Sequence, residues 1–211
     1  MALRYERNPA AIYRQSFAIV REEAELDHLP DDLTEVAIRL VHACGMPEIT
    51  ARLAWSDDVV ASGRAALAAG APVLCDCEAV ASMVIRGRLQ RGNPVICTLN
   101  DPGVRERAGD TGTTRSAAAV ELWQAHLAGA VVAIGNAPTA LFRLLELLDE
   151  GAPPPAAILG FPVGFVGAAE SKAELAARPR APFLTLRGRR GGSALGAAAV
   201  NALAAGLGTP S

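Results

Sequence analysis

Lysine is almost missing from this chain: Lys172 is the only one among 20 basic residues, so positive charge is carried by guanidinium groups. Arginine pairs with carboxylates and phosphates through a planar two-pronged fork, where an ammonium offers only a point charge. Arginine-biased codon usage and recognition of an anionic ligand both fit this. A charge excess is missing too. With 20 Lys plus Arg against 22 Asp plus Glu, general binding to polyanions is excluded, and no nucleic-acid partner is expected. No apolar run is long enough to span a bilayer. The longest, from Pro155 to Ala169, is broken by Gly160, Pro162, Gly164 and Gly167 and falls short of the ~20 residues a spanning helix needs. The opening MALRYERNPA is charged, unlike a signal peptide, so a cytoplasmic location without membrane association is expected. There is no C-x-x-C pair among Cys44, Cys75, Cys77 and Cys97. Cys75 and Cys77 share a face if their strand continues, but lack further ligands at metal spacing, so buried reduced thiols and no metal are expected.

What the chain does have is alternation. Short apolar, β-branched runs occur at Val73 to Cys75, Val95 to Leu99, Val131 to Ile134, Ala156 to Leu159 and Phe183 to Leu186. Each reads as a strand buried on both faces. Helical stretches are predicted over Thr114 to Leu127, Pro138 to Glu150, Gly167 to Ala177 and Gly192 to Ala204. Strands separated by helices imply right-handed crossovers and a parallel sheet covered on both sides. The expected fold is therefore α/β, a flavodoxin-like doubly wound parallel five-stranded sheet with an N-terminal helical extension. That extension, about residues 1–70, carries predicted helices at Ala10 to Glu25, Asp31 to Cys44 and Asp57 to Ala69, the last with Ser56 as N-cap. Together with a sheet portion of about 71–205 it forms one domain spanning residues 1–211. Disorder is expected at the last few residues and around Asp101 to Thr113.

Ligands of open α/β sheets sit at the carboxyl ends of the strands. The residues there are Asp76 and Glu78, Asn100 and Asp101, Gly135 and Asn136, Gly160 to Gly164, and Arg187 to Ser193. GNAPT at Gly135 to Thr139 follows a strand and opens a helix. Its backbone N–H groups suit either a bound anion or simply a tight turn. No G-x-G-x-x-G, phosphate-loop or G-x-S-x-G pattern is present, which leaves nucleotide binding and a serine-hydrolase triad unsupported. Asp76 and Glu78 fit either an acid/base pair or helix capping with arginine pairing.

Among the histidines, His28 reads as a solvated loop residue and His126 as a partly buried neighbour of Trp123 and Leu127. His42 differs. The stripe Leu33, Val36, Ala37, Leu40, Val41 and Cys44 faces a core, and at about 100° per residue His42 lies on the opposite side. Gly45 and Pro47 end the helix there, where exposed carbonyls and the helix dipole favour a cation. A solvated histidine at a helix end and a proton donor facing a cleft both fit that position.

In order along the chain, AIYRQSFAIVREEA, RLVHACG, GAPVLCDCEAV, NPVICTL, TRSAAAVELW, VVAIGNAPTALF and AAILGFPVGFVGAAESK together resemble the precorrin-8X methylmutase family of cobalamin biosynthesis. That resemblance implies an isomerase that moves a methyl group from C11 to C12 of a corrinoid ring to give hydrogenobyrinic acid, without a cofactor. It implies a homodimer with the macrocycle near the subunit interface. It also maps the catalytic histidine onto His42 and substrate contacts onto Ser16 and Arg115, with Arg14, Arg86, Ser116, Asn136 and Thr139 beside them. Where relatives often carry Thr, this chain has Ile85. A non-catalytic corrinoid carrier, a nucleotide-binding flavodoxin-like module and a cobalt-precorrin-8 methylmutase are the competing readings. The local wording of the segments is closer to the metal-free branch.

Overall fold

A computed structural model describes residues 3–206. Its centre is a six-stranded sheet in the order β1-β6-β5-β4-β2-β3, formed by β1 (Leu53–Trp55), β2 (Val73–Cys75), β3 (Val95–Ile96), β4 (Val131–Ile134), β5 (Ala157–Gly160) and β6 (Phe183–Leu186). Five strands run parallel, and β1 pairs antiparallel with β6, Ala54 opposite Thr185. The five expected strands are parallel, but the expectation of a five-stranded, all-parallel sheet needs correction: the sheet is mixed, and its sixth strand comes from the N-terminal portion expected to be wholly helical. A strand of three residues between helices is too short to show a period.

Successive residues of one strand point to opposite faces, and here they enter two separate cores. Val73, Val131, Ala133, Leu159 and Leu184 join one cluster, while Leu74, Val132, Ile134, Ile158 and Phe183 join the other. The first face is covered by α1 (Pro9–Glu23), α2 (Asp31–Cys44), α3 (Val59–Ala68), α4 (Glu78–Met83) and, later in the chain, a helix at Ser193–Leu203. Between α4 and that helix come α5 (Val104–Asp110), α6 (Arg115–Glu121), α7 (Pro138–Asp149) and α8 (Ala168–Ala177), so the helix at Ser193–Leu203 is α9. Side chains of α7 and α8 fill the second core. Gly196 lets α9 press against the end of β4: a Cβ there would meet Gly135 Cα at 3.4 Å.

Several local expectations change. Asp101 to Thr113 contains α5, whose Val104 and Ala108 are buried, rather than a disordered loop. The expectation for the last few residues lies outside the described ones. The Ser56 hydroxyl accepts from Phe183 N–H at 2.9 Å and ties β6 down, so it does not cap α3. β2 stops at Cys75, and Cys77 caps α4, so the two thiols do not share a strand face. His126 is exposed in a short 3-10 turn, although Trp123 and Leu127 beside it are fully buried.

Candidate functional site

The stripe of α2 is buried as its spacing requires, and His42 stands exposed on the other side. Gly45 closes the helix in the left-handed conformation at φ 68°, its N–H bonded to Val41 O. Over His42 lies α1. Its residues Tyr13, Ser16, Phe17 and Val20 are spaced three and four apart and therefore share one face. That face meets the imidazole. Ser16 Oγ lies 2.7 Å from His42 Nδ1. Tyr13 stacks on the ring with centroids 5.2 Å apart and planes at 30°, and Phe17 meets it edge-on at 5.3 Å. One ring nitrogen is thus held by a hydroxyl and both flanks are fixed by aromatic groups. These contacts hold the imidazole in one orientation.

Two hollows share His42 as a common wall. One, of about 350 Å³, lies between α1 and the end of α2 and is lined by Ile12, Ser16, Ile19, Val41 and Pro47. The other, of about 210 Å³, is lined by Tyr13, Phe17, Arg39, Arg88 and α9 residues including Ala194 and Asn201. Both are built from helices. None of the strand-end residues named from the sequence lines either of these two hollows.

The reason is visible at Asp76. Its carboxylate turns inward and accepts three backbone N–H bonds, from Gly135 at 2.9 Å, Asn136 at 2.9 Å and Ala137 at 2.8 Å. The anion cradle read from GNAPT exists, and the chain's own carboxylate fills it. Burial pushes the Asp76 carboxyl up while the three amides pull the other way. Asp76 and Glu78 are no acid/base pair. The first is buried and committed, and the second is exposed at the start of α4, near the Cys97 thiol, which burial pushes up to about 11.

The residues singled out by sequence fall into two groups. Ser16 and His42 touch, with Arg14 exposed on α1 and Arg86 exposed in the turn after α4. At the strand ends, Arg115 Nη2 donates to Asn100 Oδ1 at 3.3 Å and the Thr139 and Thr114 hydroxyls are 2.7 Å apart. Ser116 is half-buried there and Asn136 exposed. Neither Arg14 nor Arg86, nor any of this second group, lines the His42 hollows. Sequence reasoning missed Tyr13, Phe17 and Arg39. Their helical spacing from Ser16 and from His42 was the available signal.

The fold and this histidine cleft frame the comparisons with known proteins. The family profile described as Precorrin-8X methylmutase matches residues 11–205. The chain belongs to that family. It is similar to the precorrin-8X methylmutase of Pseudomonas aeruginosa, 61% identical over 95% of this chain and 97% of the relative. The precorrin-8X methylmutase of a Sinorhizobium species is 59% identical over 95% and 96%. A crystal structure of precorrin-8x methyl mutase from Thermus thermophilus superimposes with a TM-score of 0.85 at 39% identity, covering 92% of this chain and 94% of that one. The enzyme is accordingly a methylmutase, an isomerase. No helix among the described residues is long and apolar enough to cross a membrane.

Proposed function

We propose that the enzyme moves a methyl group from C11 to C12 of precorrin-8X, yielding hydrogenobyrinic acid, with His42 as the proton donor to the ring. The two relatives named above carry the metal-free name, and this favours precorrin-8X over its cobalt form. The observation that carries the mechanism is the setting of His42, gripped at Nδ1 by Ser16, stacked by Tyr13 and open to a hollow on either side.

A [1,5]-sigmatropic shift breaks one carbon–carbon bond and forms another within one conjugated system, and it consumes no net proton. A proton lent to a ring nitrogen makes that system electron-poor along the migration path and lowers the barrier. Its return restores the histidine. With Nδ1 engaged by Ser16, Nε2 is the nitrogen free to share that proton. Held substrate geometry supplies the remaining advantage.

The expected macrocycle is broad and apolar with carboxylates around its rim. Ile12, Tyr13, Ile19, Met83 and Ile85 leave an exposed apolar margin about the hollows, suited to the ring and to a second copy of the chain closing over it in a homodimer. Arg14, Arg86, Arg115, Ser116, Asn136 and Thr139 are assigned to the carboxylate rim. The chain acts as one domain in the cytoplasm, with the flavodoxin-like order of its five parallel strands supporting the site. Purified protein mixed with metal-free precorrin-8X should convert it to a species with the orange absorbance of hydrogenobyrinic acid. An unchanged spectrum with competent substrate refutes the proposal.

A further inference from the structure

The smaller hollow is walled on one side by two arginines that no ion pair satisfies. Arg39 on α2 and Arg88 in the turn after α4 both line it, and neither has a carboxylate within ion-pair distance among the described residues. The acidic neighbour on α2, Glu35, is taken by Arg21 at 2.8 Å. Arg39 instead lies over the Phe17 ring at 5.2 Å. The Arg88 segment is fixed as well: Asn201 of α9 accepts from Ile85 N–H at 2.8 Å and donates to Met83 O at 3.0 Å. Arg64 of α3 has a buried Nε with no partner. Burial first, then the like charge of Arg88, push the Arg39 pKa down, while Glu35 and Tyr13 pull it the other way.

Converging half-buried like charges oppose folding, and a bound anion would offset that cost. We propose that Arg39 and Arg88 form a carboxylate-binding subsite on the wall of the His42 hollow, which seats acidic arms of the macrocycle beside the proton donor. Its ligand class is a polycarboxylate whose apolar body fills the hollow, and it rests on the corrinoid reading above. Neither arginine was singled out from the sequence, because a lone arginine on a helix or in a turn is indistinguishable from a solvated charge. Function follows from placement: anchoring arms on α2 and after α4 would fix the rotation of the ring over Nε2 of His42.

The test is an absorbance titration of the parent enzyme and of Arg39→Gln, Arg39→Lys and Arg88→Gln, each checked for native circular dichroism. The probes are the free-acid product macrocycle and its fully methyl-esterified form. The free acid should bind each Gln variant about tenfold more weakly than the parent, the loss expected for one charge-assisted hydrogen-bond pair, with Lys intermediate. The ester should bind all four proteins alike. Binding of the free acid within twofold of the parent in both Arg88→Gln and Arg39→Lys overturns the subsite, even if a Gln at 39 fails to fold. A parent enzyme that neither binds the free acid nor converts precorrin-8X would overturn the corrinoid reading itself, and the subsite with it.

Discussion

Ser16 and His42 come from different helices, and their side chains meet at 2.7 Å between Oγ and Nδ1. The contact ties α1, which is otherwise exposed over most of its length, to the functional end of α2. It also makes the two residues a single unit: one supplies the imidazole and the other fixes which nitrogen is free.

Replacing His42 by Ala should therefore lower kcat at least a hundredfold, the scale of general acid catalysis, while product binding stays within a few fold. Ser16→Ala should lower kcat about tenfold. The double variant should be no slower than His42→Ala alone, because residues acting as one unit do not add. Steady-state rates of the three proteins decide this. Additive losses would show that Ser16 works elsewhere.

At Asp76 the expected effect is on stability. Asp76→Ala leaves three amides without their acceptor and should cost about 3 kcal/mol in urea unfolding. Asp76→Asn keeps one acceptor oxygen and removes a buried charge, so it should cost less. Equal losses in the two variants would contradict the account.

Lys172 gives a pH dependence. It is 1% exposed, its Nζ donates to Arg190 O, and burial lowers its pKa from 10.5 to about 8. Between those values the unfolded chain holds a proton that the folded one has shed, so stability rises as pH climbs through that window. The gain is up to about 3 kcal/mol. Cysteine ionisation runs the other way, since burial raises the Cys75 and Cys97 thiols. The measurement is therefore the difference between parent and Lys172→Met in chemical unfolding from pH 7 to 10.5. It should grow in favour of the parent, and a flat difference refutes the assignment.

Gly135→Ala tests how tightly α9 is seated. A Cβ there would lie 2.7 Å from Ser193 Cα, which is backbone and cannot swing aside. The variant should lose about 2 kcal/mol by thermal unfolding, the cost of overpacking. Gly109→Ala, where nothing lies within 4 Å of the new methyl, is the control and should be neutral or slightly stabilising.

Most helices and the buried strands were legible from apolar patterning, Asp31–Cys44 to the residue, whereas the short α4 and α5 span too few turns to show a period. His42 was legible for the same reason, as the polar exception on a face defined by its neighbours. β1 was not, since three residues at a sheet edge carry no period and their partner β6 is 130 positions away along the chain. Nor were the two hollows at His42. The turn of the Asp76 carboxylate into the loop at Gly135 to Ala137 was hidden as well, since no spacing in the sequence announces that contact. The arginines were visible as residue types, but their lack of ion-pair partners is a property of the assembled structure alone.

The cradle at Gly135 to Ala137 has a wider consequence. Loops of this shape attract phosphate wherever they occur, and mixtures of phosphorylated metabolites are full of competitors for them. Here an intruding phosphate would have to evict a side chain rooted at the end of β2, so this loop should hold no orthophosphate even at millimolar levels. The molecule has sealed its most inviting anion trap with a side chain of its own.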